Sequence, residues 1–124
     1  MVDTPIARAG LLAASDQYEA ALQANDTATL DALFWQDARV VRIAPKEEQR
    51  GIETIRAYRA NRPLNELARE YLSREIVTFG SDAGVVNIVF QRKLDGQIGR
   101  QSQTWMRLDG EWRIVSAHIS FRSP

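Results

Sequence analysis

The chain has 124 residues, and its sixteen basic and sixteen acidic side chains cancel in formal charge. This balance argues against nucleic acid and anionic membranes as partners, because both attract proteins with a positive surface. Cysteine is absent, which excludes disulfides, thiolate nucleophiles and thiolate-bound metals. No apolar run reaches the length of about 18 residues that crosses a bilayer, and the first residues lack the pattern of a secretory signal. We therefore expect one cytoplasmic domain over residues 1–124.

Two helices are predicted at the start of the chain. The first begins at Pro5, because the first turn of a helix does not use the N–H group that proline lacks. Asn25 and Asp26 end it, and the Asp26 carboxylate is suited to cap a short second helix. Apolar residues at helical spacing predict inward stripes at Leu11, Ala14, Tyr18, Ala21 and Leu22, then at Leu30, Leu33 and Phe34. The polar residues expected mostly to face away are Asp16, Gln17, Glu19 and Gln23.

A strand and a third helix are predicted next. Alternation over Ala38–Ala44 indicates a strand with Val40 and Arg42 on one face, and a charged loop, Pro45–Gly51, follows it. The third helix covers Ile52–Asn61 and is stopped by the proline that comes shortly after. One stripe along this helix starts apolar and ends basic, at Ile52, Ile55, Arg59 and Arg62.

The rest of the chain is predicted to be an antiparallel sheet. A strand over Ala68–Phe79 is followed by a turn at residues 80–82 and a strand over Gly84–Lys93. Two Asp-Gly pairs, Asp95-Gly96 and Asp109-Gly110, then mark hairpin turns. Three helices before a long meander predict the α+β class, with the helices on one face of a curved sheet.

The last hairpin carries an unusual mixture of side chains on one face. Two-residue turns pair Trp105 with Ile114 and bring apolar residues of the preceding strand to the same face. A strand that only packs in the core would carry no polar residues there. This register nevertheless places four polar residues on that face: Gln101, Gln103, Ser116 and His118. We therefore predict that this face is the wall of a pocket with a polar floor.

Six segments share a pattern that goes beyond secondary structure. The most specific is Gly99–Trp105, Gly-Arg-Gln-Ser-Gln-Thr-Trp. The others are Tyr18–Leu22, Thr29–Trp35, Val41–Arg42, Ile55–Pro63 and Trp112–His118. Together they resemble the AtzH-like family, which includes the oxalurate-catabolism proteins called HpxZ and belongs to the SnoaL-like, ketosteroid-isomerase-like superfamily. The resemblance covers nearly the whole chain. It implies a cone-like fold, with three N-terminal helices packed on a curved antiparallel sheet and a pocket between.

One segment departs from the family pattern. After Arg42 the family pattern is Gly-x-x-Glu-Asn-Leu-Tyr-Gly, whereas this chain has Ala-Pro-Lys-Glu-Glu-Gln-Arg-Gly over Ala44–Gly51. If this loop covers the mouth of the pocket, substrate choice differs here.

The resemblance implies an enzyme of nitrogenous-compound breakdown that uses no cofactor. The implied reaction is a decarboxylating amidohydrolase step that converts 1,3-dicarboxyurea to allophanate in cyanuric acid catabolism. Matching by motif gives Tyr18 and Arg42 as the catalytic residues. The resemblance also implies functional association with an amidase-signature hydrolase. By analogy of fold we expect a homodimer through the outward sheet face, which carries Asn87, Val89, Gln91, Thr104 and Val115.

The chemistry of these side chains suits a small anionic ureido substrate. A guanidinium such as that of Arg42 binds a carboxylate with two parallel N–H···O bonds, and the Tyr18 hydroxyl can donate or relay a proton. An N-carboxylate loses carbon dioxide readily once the departing nitrogen is protonated, so positioning and one proton donor suffice. The residues expected to bind the substrate are Gln101, Gln103, His118, Arg59, Arg62 and Ser116.

Less specific interpretations stand beside these. An inward tyrosine often only packs in a core, a strand arginine often lies at the surface, and arginines near a helix C-terminus interact with the helix dipole. The alternative function is a non-catalytic ligand-binding or accessory subunit of an amidase. Isomerase chemistry ranks third, because it needs a carboxylate base in an apolar pocket and the acids considered, Asp16, Asp31 and Asp37, are at outward or loop positions. The usual zinc ligand sets and the Gly-x-Ser-x-Gly motif are missing.

Overall fold

The computed structural model describes residues 1–64 and 67–124, which form three helices and one six-stranded sheet. The helices are α1 (Pro5–Gln23), α2 (Thr27–Leu33) and α3 (Ile52–Asn61). The strands are β1 (Val41–Ile43), β2 (Glu48–Arg50), β3 (Arg69–Phe79), β4 (Ala83–Arg92), β5 (Ile98–Leu108) and β6 (Glu111–Arg122). The helices pack on one face of the curved, open sheet, so the predicted α+β class is confirmed. No helix in the described ranges is long and apolar enough to span a membrane.

The helix boundaries follow local sequence signals. α1 begins at Pro5, and the Asp26 carboxylate caps α2 by accepting the backbone N–H of Thr29 at 3.2 Å. The residue after α3, Arg62, has an extended backbone (φ −74°, ψ 152°), because the ring of Pro63 disfavours the helical conformation in the residue before it. The predicted bounds of α1 and α3 and the predicted start of α2 are confirmed, whereas Phe34, expected on the inward stripe of α2, comes just after its last residue.

The sheet has the strand order β2-β1-β6-β5-β4-β3, in which β1 runs parallel to β6 and every other neighbouring pair is antiparallel. The predicted strand over Ala38–Ala44 is shorter in the structure, and the predicted loop over Pro45–Gly51 contains β2. In β2 the buried Gln49 lies between two exposed charged residues, as expected for a strand at the edge of a sheet. Those two charges give the segment the composition of a loop, which is why the prediction was wrong.

The two Asp-Gly pairs form different connections. Asp109 and Gly110 have the positive φ angles, 52° and 81°, of a two-residue hairpin turn, so the predicted turn is confirmed. Asp95 instead lies in a longer loop, where its carboxylate accepts the backbone N–H of Gln97 at 3.1 Å. The two-residue turn predicted at Asp95-Gly96, which would pair Ile88 with Gln103, is therefore wrong. The longer loop shifts the pairing of β4 and β5 by two residues, so Ile88 pairs with Gln101. A shift by two keeps each side chain on its predicted face.

A β-bulge changes which side chains of β6 face the helices. Trp105 pairs with Ile114 as predicted, but Val115 has no partner before the ladder resumes at Ser116. One extra residue on β6 reverses the face of every side chain that follows it. Ser116 and His118 are therefore exposed on the outward face of the sheet, and their predicted place beside Gln101 is wrong.

The core lies between the helices and the inward face of the sheet. Its largest fully buried side chains include Trp105, Phe34, Leu11, Leu30, Ile55, Ile88 and Ile114. Gly99 has a particular role in shaping this face, because a Cβ at this position would lie 2.1 Å from Cζ of Phe90. Glycine here lets the Phe90 ring lie across β5, where it contributes to a pocket between the helices and the sheet.

Candidate functional site

A pocket of about 200 Å³ opens between α1, the end of α3, the β1–β2 hairpin and the inward face of the sheet. Its apolar wall includes Leu22, Phe90, Ile119 and Phe121. Its positively charged side chains are Arg42, Lys46, Arg59, Arg62, Arg69 and Arg92, and Glu47 is the one acidic residue that lines it within residues 1–64 and 67–124. A pocket with this balance of charge attracts anions and small carboxylates.

Tyr18 is placed at this pocket by the inward stripe of α1. Its side chain is 5% exposed, and its ring centre lies 6.5 Å from that of Phe34. A buried tyrosine usually finds a partner for its hydroxyl inside the protein. No group in the described part of the chain forms a hydrogen bond with the Tyr18 hydroxyl. The hydroxyl is therefore available to a molecule bound in the pocket.

Arg42 extends from β1 to the pocket and is held by its own hairpin and by α3. Its Nη1 donates to Oε1 of Gln49 at 2.9 Å and to Oε1 of Glu47 at 3.2 Å, and its Nη2 donates to the Tyr58 hydroxyl at 3.3 Å. The guanidinium also lies 4.3 Å from the centre of the Tyr58 ring. These contacts hold the planar guanidinium of Arg42 at the pocket, and 15% of the side chain is exposed.

Two further arginines come from the C-terminal end of α3. Nε of Arg59 donates to Oδ1 of Asp31 at 2.6 Å, and the Arg59 side chain is only 1% exposed. Nη2 of Arg62 donates to the neutral amide of Asn25 at 3.3 Å. Burial, and then the nearby charge of Arg59, lowers the pKa of Arg62 below its ordinary value. Because the ordinary arginine pKa is so high, Arg62 keeps its charge near neutral pH.

Arg69 enters the pocket from the first residue of β3. Its Nη2 contacts both oxygens of Glu19, at 2.6 Å for Oε1, and its Nη1 donates to Oε1 of Gln101 at 3.3 Å. Burial raises the pKa of Glu19, and the charge of Arg69 offsets part of that rise. The prediction that Glu19 faces away from the core is wrong, since its exposed fraction is only 7%. We call Arg59, Arg62 and Arg69 the arginine cluster.

The structure brings together five of the eight residues that the sequence singled out. Those that line the pocket are Tyr18, Arg42, Arg59, Arg62 and Gln101. Gln103 lies on the same face but is fully buried, where its Oε1 accepts the indole N–H of Trp105 at 3.1 Å. Ser116 and His118 lie outside the pocket, because the bulge turns them to the outward face. Gln103 therefore belongs to the core, and these two to the exposed sheet surface.

Several residues at the site were not found from the sequence. Arg69 begins a strand whose register the sequence does not fix, so its neighbours could not be predicted. Tyr58 lies within the family-like segment Ile55–Pro63 and directly precedes Arg59, which is a signal for a pocket residue. Glu47 lies in the segment that departs from the family pattern. Within the described residues, no three histidine, cysteine or acidic side chains come together as a metal site.

Comparisons with known proteins give a family and a fold. The AtzH-like family profile matches residues 1–124. Two solved structures of similar sequence superpose with a TM-score of 0.94. One, a protein of unknown function from Pectobacterium atrosepticum, is 43% identical, and the match covers 98% of this chain and 95% of that chain. The other, a cystatin-like fold protein from Burkholderia xenovorans, is 36% identical, and the match covers 100% and 98%.

A more distant structure shows the same fold. It is a ketosteroid isomerase-like protein from Erwinia carotovora atroseptica, 17% identical, with a TM-score of 0.79 and a match that covers 98% of this chain and 100% of that chain. At this identity the likeness concerns the fold alone. No curated protein matches the chain.

Proposed function

The chain belongs to the AtzH-like family, and we propose that it is a cofactor-independent enzyme that acts on a small carboxylated urea. The reaction is a decarboxylating amidohydrolase step of the kind that converts 1,3-dicarboxyurea to allophanate. The observation that carries the proposal is that Tyr18 and Arg42 line the same cationic pocket, and that the Tyr18 hydroxyl has no hydrogen-bond partner among the described residues. A small, planar anion with a ureido group fits both the charge and the donors of this pocket.

The proposed step requires binding, orientation and one proton. The bond between the carboxylate carbon and the urea nitrogen breaks, and its electron pair stays on the nitrogen. The nitrogen takes a proton, and the carboxylate leaves as carbon dioxide. Arg42 binds and orients the anion, while the Tyr18 hydroxyl donates to the ureido group on which charge develops. The amide of Gln101, which lines the same pocket, offers a donor and an acceptor to the ureido N–H and C=O groups.

The direct test measures release of carbon dioxide from 1,3-dicarboxyurea, made fresh by an upstream amidase. We expect the purified protein to accelerate release over the amidase alone. Tyr18→Phe and Arg42→Ala should each lower the rate at least about a hundredfold, because each removes a group that touches the reacting substrate. The matched controls are Tyr71→Phe and Arg56→Ala, which change residues outside the pocket and should keep the full rate.

Two outcomes would contradict the proposal. If Tyr18→Phe releases carbon dioxide at the full rate, Tyr18 serves only to pack in the core. No acceleration by the wild-type protein, together with its co-purification with the amidase, would instead support the accessory subunit of an amidase-signature hydrolase. Thermal unfolding of each variant shows whether a lost rate reflects lost folding, and we expect the midpoints of Tyr18→Phe and wild type to agree closely.

We also propose that two copies of the chain associate through the outward sheet face. This face carries the half-buried Asn87, Val89 and Gln91, and the bulge adds Ser116 and His118 to it. The face is mixed in polarity, so the proposal rests on analogy of fold more than on apolar area. Size-exclusion chromatography with light scattering should give twice the mass of the chain, and a monomer at micromolar concentration would contradict it.

A further inference from the structure

The arginine cluster keeps three buried N–H donors without an acceptor. Within the described residues, these are Nη2 of Arg59, Nε of Arg62 and Nε of Arg69. Buried polar groups are hydrogen-bonded in the great majority of cases, because an unpaired donor is costly away from water. All three residues line the same pocket. A bound oxyanion, which only accepts hydrogen bonds, would supply the acceptors that these donors lack.

The cluster also retains one positive charge. Asp31 pairs with Arg59, and Glu19 pairs with Arg69. Arg62 contacts only the neutral amide of Asn25, and it has no carboxylate partner in the part of the chain that the structure describes. One carboxylate would therefore balance the charge of the cluster, and its oxygens are acceptors of the kind that the unpartnered donors need.

Arg42 and Arg69 enter the pocket from different strands, and Tyr58, which contacts the Arg42 guanidinium, directly precedes Arg59 on α3. Arg42 comes from β1 and Arg69 from β3, and three strands lie between them in the sheet. With about 4.8 Å between neighbouring strands, the two backbones are about 19 Å apart along the sheet. The two arginines therefore reach the pocket from opposite sides. Nη1 of Arg42 already has acceptors in Gln49 and Glu47, whereas the cluster has unpartnered donors.

We propose that Arg59, Arg62 and Arg69 form a second oxyanion subsite, and that the pocket takes a small ligand with a carboxylate at each end. One carboxylate binds the arginine cluster and the other binds Arg42. The inference deepens the proposed function and rests on it for the use of this pocket, but binding can be measured without turnover. It makes Arg62 a determinant of specificity for dianions over monoanions.

Glutarate and butyrate are the probes. Glutarate has the same number of bonds between its carboxyl carbons as 1,3-dicarboxyurea, and butyrate is glutarate without one carboxylate. Isothermal titration calorimetry gives the dissociation constant of each acid for wild type, Arg62→Gln, Arg42→Gln and Arg56→Gln. Arg56 is the matched control, because it lies on α3 but pairs with Glu53 outside the pocket.

We expect wild type to bind glutarate at least about tenfold more tightly than butyrate, since a second charge-assisted contact is made. Arg62→Gln should weaken both acids about tenfold, because butyrate places its one carboxylate at the cluster. Arg42→Gln should weaken glutarate by a similar factor and leave butyrate unchanged. Arg56→Gln should change neither. Arg62→Lys, which keeps the charge but loses the planar fork, should fall between wild type and Arg62→Gln.

Three results would overturn the subsite. They are equal affinity of wild type for the two acids, failure of both acids to bind at millimolar concentration, and loss of butyrate binding in Arg42→Gln but not in Arg62→Gln. The wild-type comparison stands even if a variant fails to fold. A protein that prefers glutarate yet releases no carbon dioxide overturns the proposed reaction alone. A protein that turns over 1,3-dicarboxyurea but binds glutarate equally well after Arg62→Gln overturns this subsite alone.

Discussion

The arginines on the two sides of the pocket are held by different kinds of contact. Arg42 takes its hydrogen-bond partners from nearby sequence, at separations of 5, 7 and 16 residues. The partners of Arg59, Arg62 and Arg69 lie 28, 37 and 50 residues away. The cluster exists only once α1, α2, α3 and β3 have assembled, whereas most of the Arg42 contacts form within one hairpin.

The two sides of the pocket therefore differ in how well they should tolerate substitution. The arginine cluster includes two ion pairs with little exposure, Arg59–Asp31 and Arg69–Glu19. Removing one partner of a buried pair leaves an uncompensated charge, so these positions resist change. The Arg42 contacts include Glu47, which is 36% exposed and belongs to the segment that departs from the family pattern. We therefore expect substitutions in the two buried ion pairs of the cluster to affect folding most, and substitutions in the hairpin to affect mainly ligand binding.

The largest effect is expected for Glu19→Ala. The substitution removes both oxygens that accept from Arg69, which is 6% exposed and within residues 1–64 and 67–124 keeps Gln101 as its one hydrogen-bond acceptor. We expect the free energy of unfolding to fall by about 3 kcal/mol in urea denaturation, the scale for breaking a buried ion pair. Glu53→Ala removes a highly exposed partner of Arg56 and should cause no measurable change. Equal stability of the two variants would contradict a structural role for the buried Arg69–Glu19 pair.

The same carboxylate should give a pH dependence. Its pKa is raised from 4.5 by burial, so the folded protein binds this proton more tightly than the unfolded chain. Stability should therefore fall as the pH rises from 4.5 through the raised pKa, with a slope no steeper than about 1.4 kcal/mol per pH unit for one proton. Glu19→Gln cannot titrate, so the free energy difference between wild type and this variant isolates the effect. A difference that grows in favour of wild type with rising pH would show that pairing with Arg69 outweighs burial.

A smaller effect, on activity, is expected for Tyr58→Phe. The variant keeps the ring beside the Arg42 guanidinium but loses the hydroxyl that accepts from Nη2 at 3.3 Å. We expect kcat/KM for the carboxylated urea to fall about fivefold, which corresponds to about 1 kcal/mol, a typical value for one hydrogen bond. Because Tyr58 positions Arg42 and is not assigned a proton, the pH profile should keep its shape. An unchanged kcat/KM would show that the hairpin alone orients Arg42.

The sequence predicted what depends on local pattern. The bounds of α1 and α3, the Asp26 cap and the Asp109-Gly110 turn each follow from a few adjacent residues, and the structure confirms them. The equally local Asp95-Gly96 pattern predicted a two-residue turn that the structure does not have. Tyr18 and Arg42 came from family-like segments, and both line the pocket. The chemical roles of these two residues stay predictions.

What the sequence missed depends on long-range geometry. Val115 looks like any strand residue, yet as a bulge it moves His118 to the other face of the sheet. Nothing in the neighbouring sequence marks it, because a bulge is set by how two whole strands pack. Glu19 was predicted to lie on the exposed face of the first helix. Arg69 belongs to a strand whose register the sequence does not determine. Their burial is explained by the ion pair that they form with each other, although they are 50 residues apart in the sequence.

The smallest effect, and the one that probes the adaptable side most directly, is expected for Glu47→Gln. The Glu47 carboxylate contacts Arg42 at 3.2 Å, so we expect it to compete with a ligand carboxylate for the guanidinium. A neutral amide competes less well, so the affinity for glutarate should rise about twofold, with the gain shrinking at high salt because the pair is partly exposed. Glu48→Gln, in the same hairpin but paired with the exposed Arg50, is the control and should change nothing. Weaker binding by Glu47→Gln would mean that Glu47 orients the guanidinium for the ligand, and the two sides of the pocket would then be equally preorganised.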